Sequence, residues 1–218
     1  MPYLYETHLH TAEVSPCAHV PAARGVELYL AAGYDGIVVT DHFLPEHSEP
    51  KAGECYADVV ARYLMGYRAA LKAAAGRLTV LLGMELRFEG SRNDYLVYGI
   101  TENVLLSLPG IHKMVPREFS VLAREKGLLF YQAHPFRNGT RVIAPEILDG
   151  IETRNGNPRH DSRNDIAAAW AEKFGLSCLS GSDFHEEEDV GRGGIYSDSR
   201  LTNREEWVAA LKNGVMLL

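Results

Sequence analysis

Short runs that are apolar along their whole length recur through this chain, and segments of helical patterning separate them. YDGIVVT, LTVLLGMEL, YLVYGI, LLFYQA and LSCLSG are of this kind. A strand with one wet face alternates apolar and polar residues, whereas one that is apolar throughout is buried on both faces. Between these runs, helices are expected over Ala22 to Ala32, closed by Gly33, and over Tyr56 to Ala75, stopped at Gly76. Two more are expected over Pro116 to Lys126, with Gly127 past the end, and over Arg163 to Phe174. Proline in a first turn and glycine beyond a last one are helix-boundary signals. Tyr3 to His10 reads as a first strand and GIETRN as a shorter one, while Thr202 suits the N-cap of a helix through Lys212, before VMLL. The rhythm predicts an α/β protein with a helix-covered parallel sheet. About seven or more strands, without a glycine-rich nucleotide loop, favour a closed or nearly closed barrel over a doubly wound sheet.

The remaining bounds come from composition. With 218 residues the chain suffices for one well-buried domain, 1–218, and two would be small. A formal net charge of −7 disfavours wholesale binding of a phosphate backbone, so nucleic acid is not the expected partner, although a small basic pocket for one phosphate is still allowed. Cys17, Cys55 and Cys178 are scattered without CxxC spacing, which reads as a reducing compartment. No signal-peptide pattern is seen and no apolar run approaches the ~20 residues of a membrane helix, so a cytoplasmic protein without a membrane partner is expected. Oligomeric state is not legible.

Metal-type acceptors fall at strand ends. His8 and His10 end the first strand; Asp41 and His42 follow GIVVT; Glu85 ends LLGME; His134 follows LFYQA; Asp183 and His185 follow LSCLSGS. Asp94 is the exception, at the start of YLVYGI. In a parallel barrel the C-terminal strand ends gather on one face, so these residues are expected to converge. Imidazoles and carboxylates suit Zn, Mn or Fe, and a carboxylate can bridge two ions.

These motifs resemble the PHP (polymerase and histidinol phosphatase) family, whose ordered signature reads here THLHT, VTDHF, GMELRF, QAHPFR and GSDFH, over residues 8 to 185. The resemblance implies a distorted (βα)7 TIM-like barrel whose two- or three-metal centre hydrolyses phosphoesters. Carried over, His8, His10, His42, Glu85, His134, Asp183 and His185 would be ligands, with Glu85 the bridge and Asp41 orienting a ligand imidazole from behind. Two departures are notable. The acidic or histidine ligand often found after HxH is replaced by AEVSPCAH, where Glu13 is the expected substitute with Cys17 behind it; and RNDYLVYG offers Asp94 where a histidine often stands.

The function expected is hydrolysis of a small phosphomonoester or cyclic diester by in-line attack of a metal-bridging hydroxide, with Asp183 or a nearby histidine such as His134 handling the proton. Arg137, after AHPF, and Arg192, in DVGRGG, are the expected phosphate contacts. Asn155 and Asn157 are candidates for lining the mouth. The alternatives are a histidinol phosphatase, a polymerase-associated exonuclease module, and a metal-binding regulatory domain without catalysis.

Overall fold

The computed structural model describes residues 2–218. Its frame is a ten-stranded sheet. The strands are β1 (Tyr3–Leu9), β2 (Gly36–Val39), β3 (His42–Phe43), β4 (Thr79–Arg87), β5 (Asp94–Tyr98), β6 (Leu129–Gln132), β7 (Gly150–Asn155), β8 (Ser177–Gly181), β9 (Ile195–Ser197) and β10 (Met216–Leu217). They lie in the order β10-β9-β1-β2-β4-β5-β6-β7-β8, with β3 paired to β4 off this path. The helices among the described residues are α1 (Ala22–Ala31), α2 (Tyr56–Tyr63), α3 (Met65–Ala74), α4 (Glu102–Leu106), α5 (Pro116–Glu125), α6 (Asn164–Phe174) and α7 (Arg204–Asn213). No helix among the described residues is long and apolar enough to cross a membrane.

Every residue of β2, β5 and β6 is buried, as their apolar runs require. One aromatic cluster ties strands to helix: Tyr5 and Tyr98 each pack with their ring centroid 5.9 Å from that of Trp207 on α7, and Tyr131 lies 5.8 Å from Tyr98. Apolar packing thus fills this part of the sheet and leaves the strand ends to polar groups.

The sheet nearly closes. Thr7 Oγ1 donates to the Ser180 carbonyl at 2.7 Å, and a parallel bridge joins Leu9 to Phe184. Glu6 fastens this seam: its fully buried carboxylate accepts from the backbone N–H groups of His8 and Ser182, both at 2.9 Å, from Tyr29 Oη at 2.8 Å, and from the Ser182 hydroxyl. Burial raises its pKa, and the donors only partly offset that.

Strand direction departs from the parallel expectation. Pairs β4–β5, β5–β6, β1–β9 and β9–β10 are antiparallel. Pairs β1–β2, β2–β4, β3–β4, β6–β7 and β7–β8 are parallel. The fold is therefore mixed α/β with a barrel-like sheet, and βα alternation is broken in the middle. The loop between β4 and β5, residues 88–93, is far shorter than the dozen or so residues a parallel crossover needs, so β5 has to turn back.

Two helix expectations also change. The stretch from Tyr56 to Ala75 is two helices, because Leu64 leaves the helical region at φ −79° and ψ 1°. Just beyond this break Gly66 lies against the first strand's exit; a Cβ there would stand 2.0 Å from Thr11 Oγ1 and 2.5 Å from Asp41 Oδ2. At the last helix Asn203 is the N-cap, accepting from the Glu206 N–H at 2.9 Å, while Thr202 donates to the Glu206 carboxylate.

Candidate metal centre

Backbone pairing brings the motifs together. The Leu9–Phe184 bridge, with His10 N–H bonded to Phe184 O and Phe184 N–H to His8 O, both at 3.1 Å, sets His8 and His10 beside Asp183 and His185. In the β3–β4 register His42 stands opposite Glu85. β5 runs against β4, so its first residue, Asp94, pairs with Arg87 at the end of β4. The apparent exception thus reaches the same face as the others.

Cys17, His42, Glu85, Asp94, His134, Arg137, Asp183 and His185 line one cleft of about 340 Å³. His8 and His10 are fully buried beside it. Glu85, also fully buried, is the hub: Oε1 lies 3.1 Å from His134 Nε2 and 3.4 Å from His8 Nε2, while Oε2 lies 2.8 Å from His42 Nδ1 and 3.3 Å from His10 Nε2. Asp183 Oδ1 is 3.5 Å from Nε2 of both His8 and His10. Asp183 Oδ2 accepts from Arg137 Nη2 at 2.7 Å and Asn155 Nδ2 at 3.2 Å. His134 and Asp183 hold left-handed backbone at φ 28° and 53°, a conformation that costs energy for residues other than glycine and is common where a site dictates geometry.

The proton inventory shows what this cluster fits. His8 Nδ1 donates to Glu152 Oε1 at 2.9 Å. Ser15 Oγ gives its one proton to Asp41 Oδ1 at 2.7 Å, so it accepts from His10 Nδ1 at 3.1 Å and from the His42 N–H at 3.0 Å. In neutral rings both Nε2 atoms then carry lone pairs, yet they face each other at 3.0 Å. Two lone pairs at that separation require a cation or an added proton between them. His42 Nδ1 and Glu85 Oε2 repeat the pattern, close but misaligned, both buried without a hydrogen-bond partner. Three overlapping groups place their ligand-type atoms within 4.8 Å of one another: His10, His42 and His185; His8, His10 and Glu85; His42, Glu85 and Asp94. The donor set fits borderline divalent ions.

Charge follows from the same contacts. Burial would lower the His8 imidazole, but Glu152, Asp183 and Glu85 outweigh it and hold His8 well above its ordinary value. His42 is held high likewise, against burial, chiefly by Glu85. Burial opposes ionisation of Glu85, yet His42 and His8 keep it well below the usual carboxylate range, and His8 and His10 do the same for Asp183. Cys17 Sγ stands 3.1 Å from His185 Nε2; burial raises the thiol, but His185 and His42 bring it down to about 6.

Several expected roles are corrected. Glu13 does not reach the cluster, because both its carboxylate oxygens accept from the Ala22 N–H, at 2.9 and 3.1 Å, at the start of α1. Arg192 turns away: its Nε bonds the Glu188 carbonyl at 2.8 Å, and it lines a separate cleft with Arg154 and Asp165. Asp94 is not displaced: its carboxylate groups with His42 and Glu85 at the cleft, while Arg87 also holds it through bonds of 2.7 and 2.8 Å, with Oδ2 4.0 Å from His134 Nε2. Asp41 touches no imidazole; it acts on His10 through Ser15 and also accepts from Thr11 N and Oγ1, both at 2.7 Å. Asn157 lines the cleft, and its Nδ2 donates to the Asp183 carbonyl. Four contributors were not foreseen. Ser15 and Glu152 hold imidazoles, and Arg87 and Arg159 join Arg137 at the rim. A lone glutamate within GIETRN was the available signal for Glu152.

Comparison with known proteins agrees with this fold. A family model described as PHP-associated matches residues 161–216. Among solved structures, a two-domain protein from Bacteroides vulgatus that contains a predicted PHP-like metal-dependent phosphoesterase aligns over 98% of this chain and 63% of its own, with a TM-score of 0.67 and 15% identity. The chain has the PHP-like fold. PsfC from Pseudomonas syringae shares this fold, with a TM-score of 0.67 and 16% identity over 100% of this chain and 91% of that one. Endonuclease Q, solved with a 27-mer duplex substrate whose abasic lesion lies at the active site, aligns over 99% of this chain and 58% of its own, with a TM-score of 0.64 and 17% identity. That complex overturns the expectation against nucleic acid, because a protein of similar fold holds a DNA duplex at its active site. No curated protein matches the chain.

Proposed function

We propose that residues 1–218 act as one catalytic domain that hydrolyses a phosphoester with two or three divalent cations, Zn, Mn or Fe. The observation that carries this is the 3.0 Å approach of the His8 and His10 Nε2 atoms, with both Nδ1 atoms already committed. His8, His10, His42, Glu85, His134, Asp183 and His185 would hold the ions, with Glu85 shared, since its two oxygens face different imidazole pairs. When bound, such ions acidify a water and take up charge developing on the phosphoryl oxygens. Arg137 lines the cleft and has a buried Nε without a partner, so it can bind a phosphate oxygen. To Asp183, fixed by Arg137 and Asn155, and His134, beside Glu85, we assign the handling of the proton during turnover.

The favoured substrate is a small phosphomonoester or cyclic diester, because a cleft of about 340 Å³ has the size of a small-molecule site. The test is a panel of phosphomonoesters (histidinol phosphate included), cyclic phosphodiesters and an abasic-site duplex, assayed with Mn or Zn on wild type and His134→Ala. Turnover of a small ester, lowered at least about 100-fold in the variant, is expected. Equal activity in both proteins discards the assignment, and cleavage of the duplex alone replaces the small substrate with DNA. Tight metal binding without turnover of any member would favour a regulatory binding domain.

A further inference from the structure

The segment between the first strand and α1 is tied down on both sides of Cys17. Ala12 N–H bonds the Val20 carbonyl at 3.1 Å, Ala18 N–H bonds the Ser15 carbonyl at 3.0 Å, and His19 N–H bonds the His185 carbonyl at 3.0 Å. The loop is thereby pinned to the GSDFH turn, and Cys17 Sγ is held 3.1 Å from His185 Nε2. His185 spends its Nδ1 proton on the Asp183 carbonyl at 2.8 Å, so in the neutral ring Nε2 presents a lone pair towards the sulfur.

An S–H···N bond would satisfy that pair alone, but not the rest of the pocket. The His10 ring lies 4.4 Å from His185 and 4.3 Å from His42, centroid to centroid. Fully buried Glu85 Oε2 lies 2.8 Å from His42 Nδ1, and neither atom has a hydrogen-bond partner. The sulfur thus stands beside one member of the His10, His42 and His185 group, whose ligand-type atoms lie within 4.8 Å of one another, and imidazoles joined by a thiolate make a soft-ligand divalent site.

We propose that Cys17 supplies a thiolate ligand to the cation faced by His42 and His185, so that this part of the centre is a sulfur-containing subsite. This rests on the metal-centre reading above. The consequence is selectivity: a thiolate favours Zn, Fe or Co over Mn or Mg more strongly than the imidazoles and carboxylates of the rest of the centre do. Cys55 and Cys178, both free and exposed, have no imidazole within hydrogen-bond reach and serve as internal controls.

The test loads metal-free protein with Co²⁺ and records its absorption. Wild type should show visible cobalt ligand-field bands together with a near-ultraviolet thiolate-to-cobalt charge-transfer band. Cys17→Ser should keep the ligand-field bands, lose the charge-transfer band, and bind one equivalent on the order of 10- to 100-fold more weakly. Alkylation followed by peptide mass spectrometry gives a second readout that needs no variant: Zn²⁺ should protect Cys17 from iodoacetamide while Cys55 and Cys178 react as before. Ligand-field bands without the charge-transfer band, or no protection of Cys17 in Zn-loaded protein, overturns the thiolate assignment and leaves the metal centre standing. A wild-type protein that binds neither cobalt nor zinc overturns both.

Discussion

Ser15 Oγ sits between Asp41 and His10, donating to one at 2.7 Å and accepting from the other at 3.1 Å. One hydroxyl therefore transmits the position of a buried carboxylate to a buried imidazole. Its removal should cost metal affinity more than it costs folding. Ser15→Ala is expected to weaken the tightest metal equivalent about 10- to 100-fold in a chelator-competition titration. Glu13→Ala is the counterpart: it removes the acceptor at the start of α1, lowers stability by about 1 kcal/mol in a denaturant titration, and leaves metal content unchanged.

Without cations, protons take their place between the imidazoles, and stability then depends on pH. His8 and His42 are held above their ordinary value, so their contribution is complete below about pH 6.5 and is lost as pH rises through the folded-state values. Glu85 and Asp183 are held low, so theirs is present above about pH 4 and is lost on acidification. The metal-free protein should melt highest in the window between and progressively lower above it. Metal binding needs deprotonated ligands and strengthens over the same alkaline range. Thermal melts with and without Zn²⁺ should therefore diverge as pH rises; parallel curves would count against the arrangement.

Gly66 is where α3 approaches Asp41. Its Cβ position overlaps Thr11 Oγ1 at 2.0 Å and Asp41 Oδ2 at 2.5 Å, so Gly66→Ala must push the helix or the carboxylate away. A loss of about 1–3 kcal/mol is expected, with weaker metal binding, because the displaced Asp41 is the anchor of Ser15. Denaturant unfolding and metal titration of the same variant check both.

The two arginines singled out from the motifs should behave differently. Arg137→Ala is expected to lower kcat/KM by about 100-fold or more, since Arg137 lines the cleft and holds Asp183. Arg192→Ala should leave kcat/KM unchanged, its side chain being turned to the Glu188 carbonyl. Steady-state assays on any ester the wild type turns over decide this.

Much of the site was legible because strand ends carry their own labels: an apolar run stops, and a histidine or carboxylate follows. Direction was not legible. YLVYGI reads the same whichever way it runs, and the antiparallel course of β5 is what delivers Asp94 to the cleft from a strand's first residue. The kink at Leu64 left no mark in an alanine-rich helical stretch. Arg192 shows the limit of motif proximity, since nearness in sequence says nothing of where a side chain turns. Ser15 and Glu152 were hidden for another reason: groups that hold ligands are ordinary residues whose role exists only after distant strands have met.

The carboxylate of Glu6 holds the His8 N–H and reaches Ser182, 176 positions further along the chain. The His8–His10 pair and the aspartate turn therefore share an anchor that exists only once the chain has been made through residue 182. A ribosome-bound fragment ending before residue 182 has imidazoles but neither Glu6's distal partner nor Asp183. On the proposed metal-centre reading, cation uptake waits on this long-range contact more than on the histidines of the first strand.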